Sequence, residues 1–329
     1  MTAGAHPARW GLLGTARINR RMIPAIRAVA GNALVAVASR DPERAASYAR
    51  RWDIPRCFAP YEAMLDSPDI DIVYVALPNS LHADWTIAAL EAGKHVLCEK
   101  PIATRANDVD RIARVAHATG RVVAEGFMYR HHAQTTEALA LLARGAVGRP
   151  RLVRGAFTFM LERDADVRLD LALGGGSLWD VGCYPVGFAR LVLGAEPVEV
   201  SGRAEWGPSG VDVAFRGDLR FSDDSAAQFD CGFRTVYRTS LEVAGTEGSL
   251  TIPQPFQPGA SEHLVLRRGD RITQIAIDGR PLFHDEVDEM HRLATEGGVA
   301  RVTLDDSRGN VVTISALYRS AREHRPIAL

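Results

Sequence analysis

Nowhere in these 329 residues does an apolar run approach the roughly 20 needed to cross a bilayer, so no membrane-spanning helix is expected. Cysteine is scarce as well. Cys57, Cys98, Cys183 and Cys231 lie far apart and lack metal-ligand spacing, which argues against a disulfide framework or a zinc site. Each reads instead as a small buried side chain. An excess of one charge is also missing: 39 Lys and Arg stand against 40 Asp and Glu, a formal net charge of −1. That leaves no electrostatic case for nucleic acid or an anionic membrane as partner. The opening segment, Met1 to Arg9, has no apolar core of the kind a signal peptide carries, so a reducing cytoplasm is the expected setting. No internal repeat or low-complexity linker is present. What remains is a chain of ordinary composition, 47% hydrophobic and 24% charged, and long enough for two domains with separate cores.

From Arg9 one rhythm repeats: a short apolar run, a turn, then an amphipathic stretch of helical length. Strands are expected at Trp10–Leu13, Leu34–Ala38, Ile72–Ala76, His95–Leu97 and Val122–Ala124, with a weaker one at Cys57-Phe58. Helices are expected at Arg17–Val29, Pro42–Arg51, Leu81–Ala92 and Ala106–Thr119. Apolar strands alternating with helices predict a parallel sheet covered on both faces, and right-handed crossovers make it a doubly wound, Rossmann-like α/β domain.

The turn after the first strand, Gly11-Leu-Leu-Gly14-Thr15-Ala16-Arg17-Ile18, suits a dinucleotide. Glycine permits close approach to a pyrophosphate, and free N–H groups at the following helix start favour its charge. Ala16 stands where a third small residue is wanted. The end of the second strand selects the cofactor. NAD sites usually place Asp or Glu there for the ribose hydroxyls; this chain has Ser39-Arg40-Asp41, with Arg44 a turn later. Serine does not repel a phosphate and arginine pairs with one, so NADP(H) is favoured, with NAD(H) possible. Asp41, followed by Pro42, also reads as a helix cap.

Two further strand ends carry polar groups. Cys98-Glu99-Lys100-Pro101 puts opposite charges where a buried strand leaves the sheet, the place where open α/β sheets bind ligands. Leu77-Pro78-Asn79-Ser80-Leu81-His82 follows the central strand and offers Asn79 and His82 to ribose or substrate, although Asn79 or Ser80 serves equally as a helix cap.

After Glu125-Gly126 the rhythm changes. A helix at His132–Ala143 precedes strands at Leu152–Phe159, Val198–Glu205, Val213–Phe221, Ala226–Phe233, Thr239–Ala244 and Ser249–Ile252. Two more strands, Leu264–Leu266 and Ile272–Ile277, and helices at Asp285–Thr295 and Asp306–Glu323 complete the chain. Strand following strand predicts an open-faced, mainly antiparallel sheet in a second, α+β domain. The division expected is 1–126 for cofactor and 127–329 for substrate and oligomerisation. Within the second part, Gly174-Gly-Gly-Ser177-Leu-Trp179-Asp180-Val-Gly-Cys-Tyr184 stands apart. In a helix starting at Ser177, Asp180 and Tyr184 share a face, where a carboxylate and a phenol can bind a hydroxyl and move its proton. A buried aromatic helix with an incidental acid is the alternative. Trp179 fits a sugar pocket or the core, and Arg130 is a candidate substrate contact. His131 and His132 point in different directions on a helix, so no metal site is expected.

These segments together resemble the Gfo/Idh/MocA oxidoreductases, NAD(P)-dependent enzymes acting mostly on sugars, cyclitols and related alcohols. The resemblance rests on Gly11-x-x-Gly14-x-Ala16-x-Ile18, Ser39-Arg40, Glu99-Lys100-Pro101, Glu125-Gly-Phe-Met128 and Gly174-Gly-Gly-Ser-x-x-Asp180-x-Gly-x-Tyr184. It implies catalytic roles for Lys100, Asp180 and Tyr184. Tyr184, where many members have His, is similar to the glucose–fructose oxidoreductase, xylose dehydrogenase and dihydrodiol dehydrogenase branch, and deoxysugar 3-ketoreductases share the pattern. The resemblance also implies that Arg168 lies near the cofactor and that the second domain forms a homodimer or homotetramer.

The expected chemistry is hydride exchange between nicotinamide and a carbinol or carbonyl carbon of an aldose, pyranose or related polyol. A phenol of ordinary pKa about 10 is a poor base at neutral pH, and a nearby ammonium lowers that value. Tyr184 is therefore the expected proton carrier, Lys100 its electrostatic partner and oxygen anchor, and Asp180 a ligand for a neighbouring hydroxyl. A 3-keto nucleotide-sugar reductase and a non-catalytic NADP-binding sensor are the competing readings.

Overall fold

A computed structural model describes residues 6–163 and 165–329. Met1 to Ala5, part of the opening segment read above, lie outside the described residues. The chain divides into two compact units. The first runs through Ala103, resumes at Asn107–Met128 and takes back Phe283–Ser307; the second comprises Thr104–Ala106, Tyr129–Leu282 and Arg308–Leu329. The sequence-based division at Gly126 therefore differs by a segment that returns to the first unit late in the chain.

The first unit holds β1 (Ala8–Leu13), α1 (Asn19–Ala28), β2 (Asn32–Ala38), α2 (Pro42–Arg51), β3 (Arg56–Phe58), α3 (Tyr61–Leu65), β4 (Ile72–Val75), α4 (His82–Glu91), β5 (His95–Glu99), α5 (Ala106–Thr119) and β6 (Val123–Gly126). Its six strands pair in parallel in the order β3-β2-β1-β4-β5-β6. Every residue of β4 is buried, as a strand covered on both faces requires. Trp10 in β1 is fully buried and satisfies its indole N–H on Asn32 Oδ1 at 2.7 Å. The order reverses between β1 and β4, which is the switch point where such sheets take ligands. Helix α8 (His284–Glu296) belongs to this unit and packs on α1 and β1.

The second unit contains α6 (Ala133–Ala143), β7 (Pro150–Met160), α7 (Cys183–Leu193), β8 (Glu199–Trp206), β9 (Asp212–Arg220), β10 (Ala226–Gly232), β11 (Arg234–Gly245), β12 (Ser249–Ile252), β13 (Ser261–Arg268), β14 (Arg271–Asp278) and β15 (Ile327–Ala328). The long helix α9 (Leu304–Glu323) contributes its residues from Arg308 onward. The nine-stranded sheet has the order β14-β13-β12-β11-β7-β10-β9-β8-β15. All its pairings are antiparallel except β7 with β10, so the sheet is mainly antiparallel, as expected. Helix α7 lies along β7 and ends at Gly194, whose φ of 61° gives the left-handed cap that glycine tolerates. The expected elements appear within a few residues at most ends; α3 and β15 are additional.

Candidate active site

In the first unit, three turns leave the carboxyl ends of β1, β2 and β4. Gly14 follows β1 with φ +101°, and a Cβ there would stand 2.9 Å from the Ala76 carbonyl oxygen. Only glycine fits so close to the β4 exit. The Gly14 carbonyl in turn accepts from Asn19 Nδ2 at 2.9 Å, which holds the turn on the first residue of α1. Ala16, Arg17 and Ile18 lead directly into that helix. Gly11 lies within β1, so its part of the pattern is strand rather than turn.

At the end of β2, Asp41 accepts from the amides of Glu43 (2.9 Å) and Arg44 (3.2 Å), a cap for α2. Its own amide donates to Ser39 Oγ at 3.2 Å. Asp41 thus caps its helix through Oδ1, Ser39 is buried, and Arg40 and Arg44 are exposed at this turn. Arg44 Nε also donates to Thr15 Oγ1 at 2.6 Å, which brings two expected cofactor residues together.

Glu99 closes β5 and accepts a short hydrogen bond from the buried Tyr74 hydroxyl of β4. Burial first, then the neighbouring Glu99 charge, pushes the Tyr74 phenol up, so it remains a donor. Lys100 follows, joined to Pro101 by a cis peptide bond. The next amide, Ile102, donates to Glu125 Oε1 of β6 at 2.9 Å. Leu77 and Pro78 lead into a short 3₁₀ turn, Asn79–Leu81. His82 departs from expectation. Its ring is only 1% exposed, and its two nitrogens lie against the carbonyl oxygens of Pro101 and Leu77. The imidazole is taken by the backbone rather than offered to a ligand.

In the second unit, the glycine run leads into a π-helical turn, Leu178–Gly182, that continues as α7. Its start is held by Asp212, the first residue of β9 and fully buried. Asp212 accepts from Ser177 Oγ (2.6 Å), the Leu178 amide (2.8 Å) and Tyr318 Oη of α9 (2.5 Å). Burial raises its pKa and these donors oppose the rise. Gly176, at φ +124°, passes so near that a Cβ would collide with the Asp212 carboxylate and the Tyr318 hydroxyl. No motif pointed to Asp212 or Tyr318.

Asp180 accepts from Arg168 Nε at 2.6 Å, and Arg168 also pairs with Asp166 at 3.2 Å. The arginine expected near the cofactor and the acid expected on a sugar hydroxyl thus form an ion pair with each other. The Asp180 charge raises the Arg168 pKa further. Tyr184, 4% exposed, sits among Tyr129, Phe157 and Phe256, with ring centroids 5.3 to 5.6 Å away. Trp179 packs on Tyr318 at 5.8 Å between centroids, and Arg130 is buried in a 3₁₀ turn. His132 caps α6 by accepting from the Gln134 amide at 3.1 Å. Among the described residues no cluster of His, Cys, Asp or Glu is placed to hold a metal.

Residues 8–127 match the model of an oxidoreductase family with an NAD-binding Rossmann fold, and residues 135–251 match that family's GFO/IDH/MocA C-terminal domain. The chain belongs to the Gfo/Idh/MocA oxidoreductases. Within this family it is 35% identical to a D-xylose 1-dehydrogenase (NADP(+)) of Haloferax volcanii, over 97% of this chain and 99% of the relative. It is 32% identical, over 98% of both chains, to a dTDP-3,4-didehydro-2,6-dideoxy-alpha-D-glucose 3-reductase of Actinomadura kijaniata. Among solved structures, a 3-ketoreductase from Actinomadura kijaniata in complex with NADP and TDP-benzene superposes with a TM-score of 0.91 at 31% identity, covering 95% of this chain and 98% of that one. An aldose-aldose oxidoreductase from Caulobacter crescentus gives 0.90 at 29% identity, covering 98% and 100%.

Proposed function

We propose that this chain is an NADP-preferring oxidoreductase acting on an aldose, pyranose or related polyol in the cytoplasm. The observation that carries the cofactor preference is the end of β2. Asp41 caps its own helix through Oδ1, the small Ser39 follows the strand, and exposed Arg40 and Arg44, the latter bonded to Thr15 of the β1 turn, supply positive charge for a ribose 2′-phosphate. NADP(H), when bound, supplies or takes up the hydride. The protein's part is to hold the sugar and move the proton of its hydroxyl. Tyr184 is the proton carrier, because a phenol both donates and accepts. Lys100 anchors the reacting oxygen through its ammonium. Asp180, released from or shared with Arg168, binds a neighbouring hydroxyl. The residues set toward the cofactor are Gly14, Thr15, Ala16, Arg17, Ile18, Ser39, Arg40, Arg44, Leu77, Pro78, Asn79, Glu99 and Lys100. Arg130 and Trp179 line the sugar. Four unbridged cysteines fit a reducing compartment.

The second reading is reduction of a 3-keto nucleotide sugar, favoured by the likeness to the 3-ketoreductase. The second sheet exposes Met160, Val236 and Tyr237 on β7 and β11, and a second copy of the chain is the occupant this reading assigns, giving a homodimer or homotetramer.

Fluorescence titration with NADPH and NADH, followed by an aldose panel with NADP⁺ and a 3-keto nucleotide sugar with NADPH, tests the reading. Tighter NADPH binding and aldose oxidation support it. Turnover of the nucleotide sugar alone moves the assignment to the second reading, and equal or better NADH binding removes the role given to Arg40. Tyr184→Phe should lower turnover by about 10² or more while NADPH affinity holds; near-normal turnover would take Tyr184 out of the proton's path.

A further inference from the structure

His82 is the first residue of α4, and its ring turns back toward the carboxyl end of the parallel sheet. Nδ1 lies 2.7 Å from the Pro101 carbonyl oxygen and Nε2 lies 2.8 Å from that of Leu77. Both distances are those of good hydrogen bonds. The two carbonyls belong to the turns that leave β4 and β5, which are adjacent parallel strands. One ring therefore joins the Leu77-Pro78-Asn79 turn to the Lys100-Pro101 turn. A carbonyl oxygen only accepts, so each contact needs an N–H on the ring. A neutral imidazole has one, and its other nitrogen then turns a lone pair on an oxygen; the imidazolium has two.

We propose that His82 is a positioning residue whose buried, neutral ring ties the Asn79 turn to the Lys100 turn, and that protonation of the ring loosens the tie. The proposal rests on the reading that these turns serve the cofactor and the reacting oxygen. Burial pushes the His82 pKa below the ordinary 6.5, and Lys100 works in the same direction, while each carbonyl pushes it back up. Because the buried ring protonates less readily than an exposed one, lowering the pH favours the opened turns, and the tie weakens on the acid side of neutrality. Lys100 is the charged group whose field acts on the ring. Asp84, two residues further along α4, pairs with Arg111 at 3.2 Å, and Glu125 of β6 is engaged by the Ile102 amide.

The test is amide hydrogen exchange of the full chain between pH 8 and pH 5.5, corrected for the intrinsic pH dependence, in the wild type, His82→Gln and His82→Phe. The glutamine amide donates at one end only and does not titrate in this range. The wild type should lose protection in residues 77–81 and 100–103 together as the pH falls. His82→Gln should show weaker protection with no such trend, and His82→Phe the least. NADPH titration of the same proteins should show roughly fivefold weaker binding for His82→Gln at pH 8, narrowing toward pH 5.5, the expected effect of one hydrogen bond. Exchange that is identical in wild type and His82→Gln at every pH, or two segments that respond separately, overturns the tie. Altered exchange with NADPH affinity unchanged overturns the positioning role. Failure of the wild type itself to bind NADPH would instead sink the cofactor reading, while the exchange data would still decide the tie.

Discussion

Asp212 shows how much one buried side chain can fix. It receives three hydrogen bonds, from Ser177, Leu178 and Tyr318, and so determines where the π-helical turn carrying Asp180 begins. Replacing it by Ala leaves three buried donors without an acceptor. We expect Asp212→Ala to lower unfolding stability by about 3–5 kcal/mol and Asp212→Asn by less, read from the denaturant midpoint. A shift under about 1 kcal/mol would mean that the loop finds other acceptors. The cysteines give a second prediction at this scale. Cys57 is exposed, whereas Cys98, Cys183 and Cys231 are buried, and burial pushes the Cys98 and Cys231 thiols up. One thiol of four should react rapidly with a disulfide reagent in the native protein, and all four after unfolding. Rapid modification of two or more would show the core to be open.

Among the elements, the β1–α1 turn tolerates little change at Gly14. Gly14→Ala places a side chain at a positive φ and against the Ala76 carbonyl, so the turn must shift. NADPH binding should weaken at least 10-fold with the far-ultraviolet dichroism unchanged; unchanged affinity would place the dinucleotide elsewhere. That turn was legible in the sequence because glycine spacing reports a backbone requirement directly. So were β4 and β5, whose unbroken apolar runs admit little besides a buried strand, and α2, announced by Asp41 and Pro42. Other features left no local mark. Alternation in Leu152–Phe159 and Ala226–Phe233 gives a strand's period but not its direction, so the parallel pairing of β7 with β10 could not be read. Asp212 is one polar residue in an alternating strand, and its partner Tyr318 lies 106 residues further on. His82 looked available because a polar residue after a strand end signals exposure only on average; its burial depends on two turns meeting.

For the molecule as a whole, acid sensitivity has an identifiable contributor. Arg9 donates three hydrogen bonds to Asp71, from its amide, Nε and Nη2. Burial works to raise the Asp71 carboxyl, and the Arg9 contacts overcome it and hold it below the ordinary 3.8. A depressed carboxylate stabilises the fold above its unfolded pKa and loses that contribution as the pH falls through the folded one. The stability gap between wild type and Arg9→Gln should therefore be constant from pH 7 to about pH 5 and close progressively below pH 3.8. A gap that persists to pH 2.5 would show that the arginine acts through packing alone.

Helix α8 has a consequence for how such proteins can be recombined. It is coded after the whole second sheet, yet it packs on α1 and β1, and a Cβ at Gly31 would run into the His291 ring. A gene fragment stopped at Gly126 would strip that cover from the cofactor half and expose apolar surface. Exchange of cofactor specificity between relatives by grafting therefore needs two inserts, one through Met128 and one spanning Phe283 to Ser307. A single crossover would yield a hybrid whose late helix was selected against a different partner.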